Sequence, residues 1–151
     1  RNLEPSTPMK FVLGLVQLAL GFGIVVLASK FFATDGLIPM IFIVLMYMFH
    51  TTGELSLSPV GLSMITKLSP KKIVGMIMGV WFVSFALANK LAGKIGEWTA
   101  KTELPESATA IDTLNVYTST YLNWGVYVVL ASALLLLLLV PLLRKWMNGI
   151  H

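Results

Sequence analysis

Long apolar runs bounded by charged residues organise this chain. Lys10 and Lys30 enclose 19 uncharged residues, Phe11 to Ser29, close to the roughly 20 needed to cross a hydrocarbon core about 30 Å thick. Between Asp35 and Lys67 lie 31 residues whose only formal charge is Glu54. At about 1.5 Å per residue they make about 45 Å of helix, so this span must tilt, bend or protrude. A third span runs from about Ile73 past Trp81 to Asn89, and its pattern continues as helix through "KLAGKIGEW". The fourth covers Tyr121 to Leu143. Its run Leu134 to Leu139 has no polar side chain and is expected to face lipid or pack as an inert wall. Residues 99–120, rich in Thr, Ser and acids, are expected to form the one substantial loop. The pattern predicts an all-α membrane protein of four transmembrane helices at about 10–32, 37–66, 73–97 and 121–146, without internal repeats.

Composition agrees with that reading and removes several function classes. Of 151 residues, 56% are hydrophobic and only 12% charged, and the mean hydropathy is +0.82, which is membrane-protein composition. There is no cysteine, which excludes a disulfide framework and a thiolate metal site. "HTTGE" offers two potential ligands four residues apart without the paired histidines of a zinc-binding HExxH, and His151 is terminal. Neither a metal site nor a zinc enzyme is expected, and no catalytic constellation or cofactor motif is present. No cleavable signal is visible. The chain begins at Arg1, in a proline-containing polar stretch that reads as an interhelical loop, and the expectation is a fragment.

The net charge of +4 acquires meaning from its distribution. Four spans place Arg1, Lys10, Lys67, Lys71, Lys72, Arg144 and Lys145 on one side. Lys30, Lys90, Lys94 and Lys101 fall on the other, with the acids Asp35, Glu97, Glu103, Glu106 and Asp112. Basic residues in a membrane protein encode orientation, so the positive-inside rule puts both termini in the cytoplasm and no nucleic-acid partner is inferred. Tyr117, Tyr121, Trp124 and Trp98 gather near outer ends and Trp146 near an inner end, where interfacial aromatics belong.

Candidate chemistry concentrates in "FHTTGELSLSPVGL", residues 49–62. Glu54 lies 13 residues from Lys67 and 19 from Asp35, well inside the bilayer. An ionised acid there costs roughly 2.5 to 3.5 kcal/mol on insertion scales, a cost that calls for a partner, a proton or a water-filled cavity. On a helix, Tyr47, His50, Glu54, Ser58 and Gly61 make one polar stripe. The competing reading is a Glu–His pair that locks helix packing, with hydroxyls bonded to their own backbone. His50 taken alone reads as a packing residue rather than a catalyst. Pro59 has no N–H to give the Leu55 carbonyl, which predicts a kink beyond Glu54, static or hinged, with Gly53 and Gly61 flanking the acid. In the third span Gly75, Gly79, Ala86 and Gly93 align as a small-residue stripe, expected to pack against a neighbouring helix. Trp81, Ser84 and Ala88 point about 120° or more away at about 100° per residue. Trp81 is then either a core aromatic or a pocket wall.

"GELSLSPVGLSMITKLSP" followed by "GVWFVSFALANKLAG" resembles helices ten and eleven of the proton-dependent oligopeptide transporters, members of the major facilitator superfamily, and most of all the bacterial peptide transporters. The likeness rests on the Glu in "GEL.LSPVGLS", on Ser58 one turn later and on Trp81 twenty-seven positions beyond Glu54. It extends over all four spans, which would be helices nine to twelve of a twelve-helix fold. It implies a proton-coupled symporter of di- and tripeptides in the cell inner membrane, working by alternating access between two six-helix halves. By the same resemblance, Glu54 contacts the peptide amino terminus, Ser58 lines the pocket and Trp81 bounds a side-chain region. Leu62 would be a cytoplasmic gate and Pro59 a hinge. The family's "ExxERFxYY" signature and its basic residues for the peptide carboxylate have no counterpart here, so the N-terminal helices of the same transporter are expected partners, alongside peptide, protons and lipid. Two alternatives remain: a self-contained four-helix proton-coupled antiporter of small cations, and a non-transporting membrane assembly subunit. The antiporters carry their Glu in the first span, and the assembly subunit leaves the polar stripe unexplained.

Overall fold

A computed structural model describes residues 5–101 and 107–147; Arg1, Glu103, Glu106 and His151 lie outside the described residues. Helix α1 spans Thr7–Phe31, α2 Met40–Leu68 and α3 Val74–Ala100. The fourth span is a continuous helical rod made of α4 (Ala110–Thr120), a π-helical segment (Tyr121–Val128) and α5 (Val129–Trp146). These are four helices long and apolar enough to cross a membrane. The chain is an all-α, multi-pass membrane protein.

Helix α1 is the centre of the bundle. It packs against α2 on one side and against α4, the π segment and α5 on the other. Most buried positions belong to it, and they are small: Val12, Ala19 and Val26 repeat every seven residues, as do Gly14, Gly21 and Ala28. Lipid supplies no hydrophobic drive between helices, so association depends on close backbone approach and van der Waals contact. The glycines show how close that approach is. A Cβ on Gly14 would lie 2.6 Å from Leu57 Cγ, and one on Gly21 2.6 Å from His50 Cδ2. From the opposite side, a Cβ on Gly53 would lie 3.2 Å from the Gly14 carbonyl oxygen.

The turn between α1 and α2 is set by Asp35 (φ 51°) and Gly36 (φ 79°), both left-handed. Thr34 and Leu37 exchange N–H···O=C bonds of 2.9 Å across it. Two consecutive positive φ values with this closure make a tight Asp-Gly turn. Gly36 is required a second time by packing, because a Cβ there would lie 2.5 Å from the Ala110 carbonyl carbon at the start of α4.

Residues 110–120 are helical, where the sequence reading expected loop. Thr109 caps the helix: Asp112 N–H donates to Thr109 Oγ1 at 3.4 Å, and Thr109 N–H donates to Asp112 Oδ2 at 2.8 Å. This reciprocal box offsets the low helix propensity of a Thr-rich, β-branched stretch. Thr118 and Thr120 then donate to the carbonyls of Leu114 (2.7 Å) and Val116 (3.0 Å). Such side-chain bonds compete with the backbone ladder, and the ladder widens into the π segment immediately afterwards. There Gly125 receives the Phe22 ring, whose Cγ would lie 2.5 Å from a Cβ.

Helix α3 stands apart, with no buried residue. The expected packing of its small-residue stripe does not occur within this chain. Cβ atoms on Gly75, Gly79 and Gly93 would meet nothing within 4 Å, and Ala86 is exposed. The helix leans on α2 through its other face, where Trp81 enters the notch of Gly61. Leu134, Leu135 and Leu138 of the leucine run are exposed.

The turn supplies a paired test. Gly36→Ala combines a strained φ with a backbone clash and should destabilise the bundle by about 1–3 kcal/mol. Gly23→Ala, where a Cβ meets nothing within 4 Å, should be neutral or slightly stabilising in a helix. Detergent-solubilised thermal unfolding of the two full-length variants checks the difference.

Candidate functional site

Helix α2 remains helical through Pro59 from Met40 to Leu68, and this continuity fixes which side chains share a face. Its polar stripe is divided by the neighbours. Gly53, Gly61 and Ile65 are buried, while Tyr47, Glu54 and Ser58 are exposed. The hydroxyls off that face satisfy themselves locally: Thr52 donates to the Met48 carbonyl at 2.9 Å and Ser56 to the Thr52 carbonyl at 2.8 Å. Such bonds keep small polar side chains inexpensive in a membrane helix.

Glu54 and Ser58 open into a groove of about 380 Å³ whose other walls are Phe11, Leu57, Trp81 and Phe85. Three helices build it. Trp81 is held by α2 and by its own helix. Its Cζ2 and Cη2 atoms occupy the Gly61 notch, each 2.6 Å from where a Cβ would stand, and Phe85 meets the indole edge-on with centroids 5.7 Å apart. Such aromatic pairs contribute about 0.5–1.5 kcal/mol beyond the area they bury. The groove thus sets an apolar wall opposite a carboxylate and a hydroxyl. No described residue forms a hydrogen bond or ion pair with Glu54. The cations Lys94 and Lys101 are instead engaged by Glu97, at 2.8 Å and 2.6 Å.

Glu54, Ser58 and Trp81, singled out from the sequence, therefore meet in one groove. Leu62 and Pro59 do not line it. Leu62 is half-buried on the same helix, and Pro59 borders a separate hollow on the far side of the α1–α2 seam, with Lys10, Gln17 and Ser56. His50 leaves the stripe altogether and packs into α1, edge-on to Phe22 at a centroid distance of 4.4 Å. Phe11, Leu57 and Phe85 were not anticipated as lining residues. Leu57 and Phe85 stand three and four positions after Glu54 and Trp81, a helical spacing that was available in the sequence. Phe11 enters from α1, and nothing in the sequence announces it. A second hollow, of about 360 Å³, lies between α3, the fourth rod and Phe22, near the pair Trp98 and Trp124 with ring centroids 6.4 Å apart. Among the described residues no group of acids and histidines is arranged to hold a metal ion.

The chain is thus a multi-pass helical membrane protein in which one carboxylate opens into a polar-apolar groove between three helices. The family pattern of the POT family matches residues 1–113, and the chain belongs to that family. It is 36% identical over 151 residues to the Dipeptide and tripeptide permease B of Photorhabdus asymbiotica subsp. asymbiotica, covering 99% of this chain and 30% of that protein. To the permease of the same name from Salmonella typhimurium it is 38% identical over 149 residues, covering 98% and 30%. To the Peptide transporter YePEPT of Yersinia enterocolitica subsp. palearctica it is 31% identical over 151 residues, covering 99% and 27%. The chain spans about 30% of the length of the curated relatives it matches.

Proposed function

We propose that this chain works as the last four helices, nine to twelve, of a proton-coupled di- and tripeptide symporter that operates by alternating access. The observation that carries the reading is the groove itself, in which Glu54, Ser58 and Trp81 converge and no described cation neutralises the acid. An intramembrane carboxylate needs a counter-charge, and the ammonium of a peptide amino terminus supplies one with three N–H donors. At 4 Å and an effective dielectric of about 20, such a pair attracts by about 4 kcal/mol, enough to matter against the desolvation of both groups. Ser58 adds a hydroxyl for the peptide backbone, and the Trp81–Phe85 wall limits the space for a side chain. Leu62, two turns toward the cytoplasmic end, is the gate, and Pro59 is the hinge that lets the lower part of α2 swing. Relatives named as dipeptide and tripeptide permeases support the substrate class. The family assignment disfavours a self-contained cation antiporter or an assembly subunit. On this reading other helices of the same transporter hold the peptide carboxylate and contribute to proton coupling.

The reading includes an orientation in the inner membrane. Basic residues at the α2–α3 turn, Lys67, Lys71 and Lys72, face the cytoplasm together with Lys10, Arg144 and Lys145, while the Asp35–Gly36 turn faces outward.

Glu54→Gln removes the counter-charge while keeping the shape, and should lower dipeptide kcat/KM at least about tenfold. Uptake into vesicles carrying an imposed proton gradient measures this; unchanged uptake and affinity at equal expression would remove Glu54 from the site. Trp81→Ala should enlarge the groove, so affinity for dipeptides with bulky side chains changes relative to small ones by about 3- to 30-fold. An unaltered ratio means the indole does not bound the substrate. Orientation is open to a separate check, because this chain has no cysteine. In a full-length protein otherwise free of cysteine, Lys71→Cys should react with a membrane-impermeant maleimide in inside-out vesicles and be protected in right-side-out ones.

A further inference from the structure

We propose that His50 is a positioning residue for the Glu54 site, a peg that sets the rotation of α2 about its axis and with it the direction of the Glu54 carboxylate. This rests on the reading of Glu54 as the peptide amino-terminus site. His50 precedes Glu54 by one turn, yet the two side chains serve different surfaces. Glu54 opens into the groove, whereas the His50 ring is driven into α1, with Cδ2 and Nε2 2.6 Å and 2.8 Å from where a Cβ of Gly21 would stand. Its Nε2 is buried, and the ring lines neither the groove nor either of the other hollows. It is therefore shaped for a seat rather than for a substrate.

The seat is braced from behind. Phe22 meets the His50 ring edge-on at 4.4 Å and stacks on Tyr121 at 5.6 Å, while its own ring fills the notch of Gly125. A contact made by α2 is thus backed by the fourth rod through α1. Farther along the same seam Gly53 lies on the Gly14 backbone and Leu57 fills the Gly14 notch. His50, Gly53 and Leu57 form the stripe of α2 keyed to α1, and Glu54 and Ser58 stand beside it. At about 100° per residue, Glu54 is offset by about 40° from His50, so a small rotation of α2 carries the carboxylate toward the seam or out of the groove.

The test compares full-length transporter variants by the ratio of affinities for a dipeptide and its N-acetylated form. That ratio reports the amino-terminus contact and is internal to each variant, so partial misfolding does not move it. His50→Ala removes the peg and should reduce the ratio by about tenfold. Gly21→Ala, whose methyl would evict the ring, should reproduce the effect, and it serves as the second variant if His50→Ala fails to fold. His50→Phe keeps a ring for the notch and should retain most of the discrimination. A wild-type ratio in both His50→Ala and Gly21→Ala, or parallel loss of affinity for both ligands, would overturn the proposal, as would loss of discrimination in His50→Phe. Glu54→Gln separates the two claims. If it leaves the ratio unchanged, the reading of Glu54 itself fails; if it collapses the ratio while both His50→Ala and Gly21→Ala keep it, only the peg fails.

Discussion

Close contact between α1 and α2 is the interaction on which the remaining arrangement depends. Two helices in lipid gain little by hiding apolar side chains from a solvent that is equally apolar. They gain by dispersion, which falls steeply with distance. Gly14, Gly21 and Gly53 remove the side chains that would hold the backbones apart, and Leu57 and His50 fill the notches left. This seam fixes both the separation and the register of α2. The groove inherits its geometry from it, since Phe11 arrives from α1 and Glu54, Leu57 and Ser58 arrive from α2.

The second constraint is electrostatic. A carboxylate at mid-span is costly unless its environment supplies charge or water, and no described residue makes an ion pair or hydrogen bond with Glu54. Trp81 sits in the Gly61 notch and against Phe85, which places an apolar wall opposite the acid. On the proposed reading, an acid with no permanent internal partner stays available to a transient cationic ligand, because such a partner would compete with that ligand. The same economy explains why hydroxyls elsewhere on α2 turn back to their own carbonyls.

Each departure from the sequence reading has a local cause. The small-residue stripe of α3 was expected to mark a helix contact, yet Gly75, Gly79 and Gly93 meet nothing. Periodicity reveals that a face is smooth, but not which helix lies against it. Residues 110–120 were expected as loop because Thr and Ser are poor helix formers. A capping box at Thr109 and Asp112 and continuity with the apolar span beyond outweighed that propensity. His50 belongs to the polar stripe by angle and to the α1 seam by contact. A helical wheel cannot separate these, since an offset of about 40° is smaller than the width of a packed face.

The sequence by itself determined the number of helices, the place of the lone mid-span acid and that Ser58 stands one turn from it on the same face. These follow from hydropathy and the 3.6-residue period, which are properties of a single segment. Family membership was legible as well, from "GELSLSPVGL" and the spacing to Trp81. Only the tertiary structure decided that Trp81 turns toward Glu54 rather than into a separate core, that Phe11 closes the groove and that His50 points away from it. Those outcomes depend on which glycine accepts which ring. Gly21 takes His50, Gly61 takes Trp81 and Gly125 takes Phe22. Each is a choice between partners far apart in the chain, made by steric fit rather than by any pattern along it.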